Sequence, residues 1–251
     1  MLIFNNRFVR EKWFCSKQTL IDALLITKFK QFQQKPKHFF LIKDFYTKII
    51  DLTQPIDTIF SNFTKHTRTK IKKASSKGVS FSSENSIEEF ISFYNQFAIN
   101  KNLNCISNLK KYGANLIITS VSLDGKILCM HSYIMDTDIS RARIVHSASQ
   151  FRDITDNTER NFIGLANRFL HFEDMRYFQS LGFKTYDLGG YAHQTNDTSL
   201  EQVNNFKDSF NGTLIYEPEL QSLLFHLVEK IYLKKSKKRG INEATIPNKN
   251  G

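Results

Sequence analysis

Residues 182–190, Gly182-Phe183-Lys184-Thr185-Tyr186-Asp187-Leu188-Gly189-Gly190, decide the fold. A glycine able to stop a helix is followed by a β-prone run, then by a carboxylate in front of two glycines. The pattern predicts a helix ending at Gly182, a strand over 184–188 and a turn where the chain leaves a sheet. Upstream, Leu165, Phe169, Phe172 and residues 175–177 form the apolar stripe of a helix over 164–181, and the polar stretch 150–160 reads as a loop. Before that loop, residues 116–123 (LIITSVSL) and 126–135 flank Asp124-Gly125, a hairpin signal, and 141–149 (RARIVHSAS) is a third strand. Downstream, a polar loop precedes 203–210, and residues 213–216 form a short strand. Pro218 opens a last helix with Leu220, Leu223, Leu224, Leu227, Val228 and Ile231 at helical spacing. That stripe is expected to pack on the domain.

The N-terminal half is less patterned. Residues 39–42 and Ile49-Ile50 read as short buried strands within a mixed segment. Thr53 as N-cap and Pro55 in the first turn predict one helix over 56–77, with Ile56, Ile59, Phe60 and Phe63 as its stripe. Its second half carries Lys65, Arg68, Lys70, Lys72, Lys73 and Lys77 with no acid between them, and Gly78 stops it. Residues 79–81 read as a strand, and Ser86 with Glu89 forms a capping box for a helix bearing Phe90, Ile91, Tyr94 and Phe97. The fold class expected is α/β, with a mixed, largely antiparallel central sheet flanked by helices. The division expected is a shortened N-terminal portion (1–50) packed on a main domain (51–233), then a basic, disordered tail (234–251).

Composition bounds the function. Of 251 residues 41% are apolar, 23 of them Phe, enough for a core and against wholesale disorder. With 10 Gly and 4 Pro, collagen-like and Pro-rich classes are excluded. No uninterrupted apolar stretch has membrane-spanning length, and the start has no apolar region of the signal-peptide kind. The three cysteines, Cys15, Cys105 and Cys129, are far apart, without metal-ligand spacing; a reducing, cytoplasmic setting with a buried Cys129 thiol and no metal follows. A net charge of +11 points to anionic partners or to a solvated basic surface.

Four stretches, in this order, resemble the GNAT acyltransferase fold in its Fem-type branch, which holds peptidoglycan-bridge aminoacyltransferases and single-domain acyltransferases of surface-polysaccharide clusters. They are Asp51-Leu52 with the basic helix 67–74 and Gly78-Val79; Gly164-Leu165-Ala166-Asn167 leading to Leu170-His171-Phe172-Glu173; residues 182–190; and Asn205-Phe206-Lys207-Asp208-Ser209-Phe210-Asn211-Gly212. Bridge-forming transferases usually carry two such domains, whereas this chain has room for one. The resemblance implies an N-acyltransferase moving an acyl group, acetyl above all, from acyl-CoA (acetyl-CoA) to the amine of an amino-sugar precursor of a cell-surface polysaccharide. The alternative it implies is an aminoacyl-tRNA-dependent transferase acting on a cell-envelope precursor. From the basic helix alone, a non-catalytic nucleic-acid-binding module remains open.

Candidate residues follow from that chemistry. The amine must lose its proton to attack, and Asp187, at a strand end before two glycines, can orient or deprotonate it, or simply accept backbone N–H bonds as a turn carboxylate. His146 and His131 on neighbouring strands are alternative bases, while His171 and Glu173 are expected to buttress the sheet. By resemblance, Lys207 stabilises the oxyanion of the tetrahedral intermediate or a substrate phosphate. The edge of strand 141–149, Ser147 included, is expected to bind the donor arm by backbone contacts. The helix start near Gly164, with Ala166 and Asn167, is expected to hold donor phosphates. Asn161 stands where the common CoA pattern has Arg or Gln. Arg68 and Lys72, at i,i+4, suit a diphosphate, with Gly189, Gly190 and Tyr191 on the acceptor side. The partners expected are a phosphate-bearing amino sugar (nucleotide- or lipid-linked), tRNA, and peripheral contact of the C-terminal helix and its KKSKKR run with the cytoplasmic face of the inner membrane. No stable protein partner is evident in the sequence.

Overall fold

A computed structural model of the chain describes residues 1–6, 8–36, 39–150 and 156–238. The N-terminal elements are β1 (Leu2–Asn6), β2 (Val9–Trp13), α1 (Leu20–Leu24), β3 (Thr27–Lys30), β4 (Phe40–Lys43) and β5 (Tyr46–Asp51). They are followed by α2 (Ile56–Asn62), α3 (Lys65–Ser75), β6 (Ser80–Ser82), α4 (Ile87–Asn100), β7 (Leu116–Leu123), β8 (Lys126–Asp136) and β9 (Arg141–Ser149). The chain continues through α5 (Asn157–Ser180), β10 (Thr185–Tyr191), α6 (Thr198–Asp208), β11 (Thr213–Tyr216), β12 (Glu219–Ser222) and α7 (Leu223–Lys238).

Two sheets result. The larger has the order β11-β5-β10-β9-β8-β7-β6 and is antiparallel except where β10 runs parallel to β9. The smaller has the order β1-β2-β3-β12-β4. This is the mixed, largely antiparallel α/β class expected. The division at residue 50 does not follow the sheets, because β5 belongs to the larger one and β12, from the far end of the chain, is hydrogen-bonded between β3 and β4.

Local chemistry explains the landmarks. The β7–β8 turn uses Asp124 (φ 50°) and Gly125 (φ 77°), the left-handed pair that matches the twist of a hairpin. Along β8 the side chains alternate: Cys129 and Tyr133 enter the core shared with α5, and Met130 and Ile134 enter the core shared with Trp13, Phe14 and Phe90. The central sheet is therefore buried on both faces, one under α5 and the other under α4 and the N-terminal segment.

Several expectations change. The single helix over 56–77 is two helices, because Phe63 turns extended to bury its ring against Phe210 and Phe172, and Thr64 caps α3 by accepting from the Thr67 N–H. Thr53 is not a cap; it bonds Asp51 instead. The helix read over 164–181 begins at Asn157, so residues 157–160 are helical rather than loop, and Asp156 caps it through Thr158 N and Glu159 N. Leu220 lies in a strand and is fully buried, because pairing with β3 and β4 overrides its helical spacing to Leu223 and Leu224. The apolar stripe of α7 is not packed away: Leu223, Leu227 and Ile231 are each more than half exposed (59%, 54% and 55%). The backbone of α7 reaches Lys238, so 234–238 of the tail expected to be disordered (234–251) is helical, and 239–251 lies outside the described residues.

Candidate active site

The parallel ladder between β9 and β10 has few rungs. Thr185, Tyr186 and Asp187 pair with Arg141, Ala142 and Arg143, and there it stops. Past a bulge between Asp187 and Gly190, with Gly189 at φ +73°, β10 keeps only β5 as its partner, Gly190 and Tyr191 pairing with Thr47 and Tyr46. Residues 144–149 of β9 keep β8 as their neighbour and present their other edge to the gap. The sheet is thus closed at its base and open above it, the arrangement an extended, amide-rich substrate arm needs for strand addition.

Asp187 lies at the closed base and has no exposed surface. Its Oδ2 accepts from Arg141 Nη2 (2.6 Å), Arg141 Nε (3.0 Å) and Gln31 Nε2 (2.9 Å). Its Oδ1 accepts from Gly189 N (2.8 Å) and from the Thr47 hydroxyl. Glu217 completes the cluster by accepting from both terminal nitrogens of Arg141, each at 2.8 Å. Burial pushes the Asp187 carboxyl up, but Arg141 and Arg143 prevail and hold it below its usual value. A sealed carboxylate with every direction answered neither reaches a substrate nor takes a proton near neutrality. The role of amine base expected for Asp187 is corrected to a structural one, close to the turn-carboxylate alternative.

The opposite face of the same strands carries a second polar cluster. Tyr186, beside Asp187 in sequence, points toward α5, where His171 Nδ1 lies 2.6 Å from its hydroxyl. The Tyr186 hydroxyl is 2.7 Å from that of Tyr133, which donates to Asp174 Oδ2 at 2.5 Å. His131 Nδ1 donates to the same Asp174 oxygen at 2.8 Å, and its Nε2 meets the Asn167 side chain at 2.9 Å. Burial raises both tyrosines far above their usual range, so they keep their protons. Burial, with His131, Lys207 and Arg168 nearby, holds His171 neutral, well below the usual imidazole value.

Lys207 stands at the mouth of this arrangement. Its ammonium donates to the carbonyl of Gly190, where β10 leaves the ladder. Burial, reinforced by Arg143 and opposed by Asp187, pushes its pKa down to about 8. Arg168, one turn before His171 on α5, places its guanidinium over the Phe206 ring (4.6 Å), and its Nε has no hydrogen-bond partner among the described residues. Burial and the Arg168 charge lower Lys70 on the facing helix α3. Among the described residues, no acid pairs with Lys65, Lys70, Lys72, Lys73 or Lys77.

No family model and no curated protein sequence matches the chain. Solved structures do. The chain is similar in fold to FemX. That likeness has a TM-score of 0.57 at 14% identity over 74% of this chain, which spans 63% of the FemX chain. The C-terminal domain of a putative lysylphosphatidylglycerol synthetase from Agrobacterium fabrum matches with a TM-score of 0.56 at 11% identity, covering 98% of this chain and 87% of that domain. L-PGS from Bacillus licheniformis matches with a TM-score of 0.50 at 11% identity, covering 80% and 69%. At such identities the likeness establishes the fold alone, and that fold is shared with FemX.

Against that fold, the remaining candidate residues separate. Gly164 is inside α5, not at its start, and an added Cβ there would meet nothing within 4 Å, so neither free N–H groups nor a need for close approach supports the expected donor-phosphate cradle. Asp156 already caps the true N-terminus with a carboxylate, and Glu159 adds a second in the first turn. Ala166 is fully buried, Asn167 faces His131, and Asn161 is exposed on an early turn of α5. Ser147 is exposed on the open stretch of β9, as the edge reading needs. His146 bonds Ser132 (2.9 Å) on the α4 face, and burial brings its pKa to about 3, a weak base. Arg68 donates to the Ser61 carbonyl (2.6 Å) and to that of Phe63, closing the end of α2, so it is not free for a diphosphate; Lys72 is exposed over Phe60. The Tyr191 hydroxyl donates to Asp208 (3.1 Å). Arg141, Gln31, Thr47 and Glu217 were not foreseen, and no local pattern marks them. Tyr133 and Asp174 were also missed, although Asn167, His171 and Asp174 are spaced four and three apart, a polar stripe on the buried face of a helix. Among the described residues, no helix is long and apolar enough to cross a membrane.

Proposed function

We propose that this protein is an acyltransferase that moves an acyl group from a phosphate-bearing carrier to an amine. The observation that carries the reading is the gap where β10 leaves β9 after Asp187, with the Lys207 ammonium fixed at its mouth. An activated carbonyl laid along the free edge of residues 144–149 would place its oxygen toward a cation able to stabilise the developing oxyanion.

Of the two carriers, aminoacyl-tRNA is favoured. The α3 lysines lack acidic partners, and Lys70 and Arg168 are held against each other without a counter-charge, which an RNA backbone would supply. The first turn of α5, with Asp156 and Glu159, disfavours a pyrophosphate there. Acyl-CoA acting on an amino sugar is the second reading, favoured by the open β9 edge, which suits an amide-rich thioester arm. The fold shared with the C-terminal domain of a putative lysylphosphatidylglycerol synthetase is in keeping with transfer of an aminoacyl group.

Filter binding with mixed aminoacyl-tRNA, and thermal shift with acetyl-CoA and UDP-glucosamine, separate these. Tight tRNA binding that weakens steeply with salt, with transfer of the amino acid to glucosamine 1-phosphate, supports the first reading. Stabilisation by acetyl-CoA alone favours the second. RNA binding with no turnover from either donor leaves a binding module and defeats the proposal.

A further inference from the structure

We propose that His171 Nε2 is the proton acceptor at the open edge of the sheet, and that Tyr186 and Tyr133 pass the proton to Asp174. The inference rests on the reading above, that an amine attacks a carbonyl in this gap, and adds the route its proton takes.

The direction of the chain follows from counting protons. A carboxylate only accepts, and Tyr133 donates its single hydroxyl proton to Asp174 Oδ2 at 2.5 Å. Toward Tyr186, 2.7 Å away, Tyr133 therefore accepts, so Tyr186 donates to it. Having used its own proton, Tyr186 accepts from His171 Nδ1 at 2.6 Å. His171 is thereby fixed as the Nδ1–H tautomer and keeps a lone pair on Nε2. Among the described residues, that nitrogen has no hydrogen-bond partner. Its ring packs against Phe206 (5.4 Å) and Phe210 (5.3 Å) of the segment that carries Lys207, and the Lys207 charge acts on it.

The charges around His171 explain why a chain is needed. The groups that face it are His131 and Tyr186 from the sheet, Arg168 from its own helix and Lys207 from α6. Two cations and a buried site oppose an imidazolium. Passing the charge on to a buried carboxylate avoids forming one. The step balances. The amine nitrogen forms its bond to the carbonyl carbon, and its surplus proton goes to His171 Nε2. The Nδ1 proton goes to Tyr186, that of Tyr186 to Tyr133, and that of Tyr133 to Asp174. When the adduct collapses, the bond to the carrier oxygen breaks, and the same chain run backwards returns the proton to that oxygen.

His131, His171 and Asp174 also offer ligand atoms within 4.8 Å of one another, a spread a divalent cation could bridge. In the structure His131 uses both ring nitrogens, on Asp174 and on Asn167, which favours the proton chain.

The test is long-range proton–nitrogen NMR on the full chain labelled at histidine, with His171→Gln to assign the signal. The expected result at pH 7 is a neutral His171 protonated at Nδ1, and loss of that fixed tautomer in Tyr186→Phe while its melting temperature stays near that of the wild type. A transfer assay with mixed aminoacyl-tRNA and glucosamine 1-phosphate accompanies it. His171→Gln should lower kcat about 10²-fold and Tyr186→Phe about tenfold, both with KM nearly unchanged. An Nε2–H tautomer, an imidazolium at pH 7, or turnover that survives His171→Gln overturns the chain while leaving acyl transfer standing. Zinc ions shifting the His131 and His171 signals together overturn it in favour of a metal site. A wild type that shows the Nδ1–H tautomer but uses neither aminoacyl-tRNA nor acetyl-CoA overturns the acyl-transfer reading itself, and the proposed role with it.

Discussion

Tyr186 and Asp187 are adjacent in sequence, yet their side chains enter two buried polar clusters of opposite character. On the face toward the smaller sheet, Asp187, Arg141 and Glu217 are charged, and their charges answer one another. On the face toward α5, Tyr186, Tyr133 and His171 are neutral and end in a nitrogen with nothing to bond among the described residues. Both clusters are buried, so burial alone does not tell scaffold from chemistry. What separates them is the state of one group in each, the Asp187 carboxylate and the His171 imidazole. A carboxylate met by a guanidinium, an amide, a hydroxyl and a backbone N–H has no capacity left, whereas an imidazole with one free nitrogen has a single capacity, and a directed one.

The difference can be broken by experiment. Asp187→Asn leaves Arg141 buried with less compensation and should cost about 3–5 kcal/mol of stability, measured by urea unfolding. A variant of unchanged stability but lost turnover would move Asp187 back into the chemistry. Lys207→Ala should lower turnover about 10²-fold without a comparable loss of stability. In the wild type the rate should fall as pH rises through about 8, where Lys207 loses its charge, and Lys207→Arg should remove that fall. Gly189→Ala puts a Cβ 3.1 Å from the Ile144 carbonyl oxygen at φ +73° and should cost about 1–2 kcal/mol, read as a lowered melting temperature. A neutral result would mean the bulge does not depend on close approach of the two strands.

The smallest effect separates the clusters by pH. His171 and His146 have folded values below the ordinary 6.5, so the unfolded chain takes up their protons first. Their contribution is present above pH 6.5 and is lost as pH falls below it. Asp187 is held below 3.8, so its contribution survives until pH falls below that value. Urea midpoints measured against pH should therefore decline in two stages, and His171→Gln should flatten the first. A single decline starting only below pH 4 would contradict a neutral buried His171.

The sequence showed local structure well and long-range chemistry poorly. The hairpin at Asp124-Gly125, the strand 141–149 and the strand 213–216 were legible because turn residues and β-prone runs coincide there. The start of α5 was missed because Thr158, Glu159 and Arg160 are polar, although Asp156 was available as a cap. The smaller sheet was largely missed because β12 pairs with β3 and β4 across most of the chain, and nothing in Glu219–Ser222 announces those partners. Asp187 was singled out for its place before two glycines, and that place is right. Its partners Gln31, Thr47 and Arg141 come from three separate regions, so its saturation could not be read beforehand.

The short ladder at Thr185–Asp187 is the seam that joins the two halves of the larger sheet. Strands β6 to β9 lie on one side of it and β10, β5 and β11 on the other, and the Arg141–Asp187 pair bridges the two at the seam. How far the strands diverge above is governed from below, by residues that never meet a cargo. Loosening that seam would widen or narrow the passage for every carrier alike, while replacing a residue on its walls would discriminate among them.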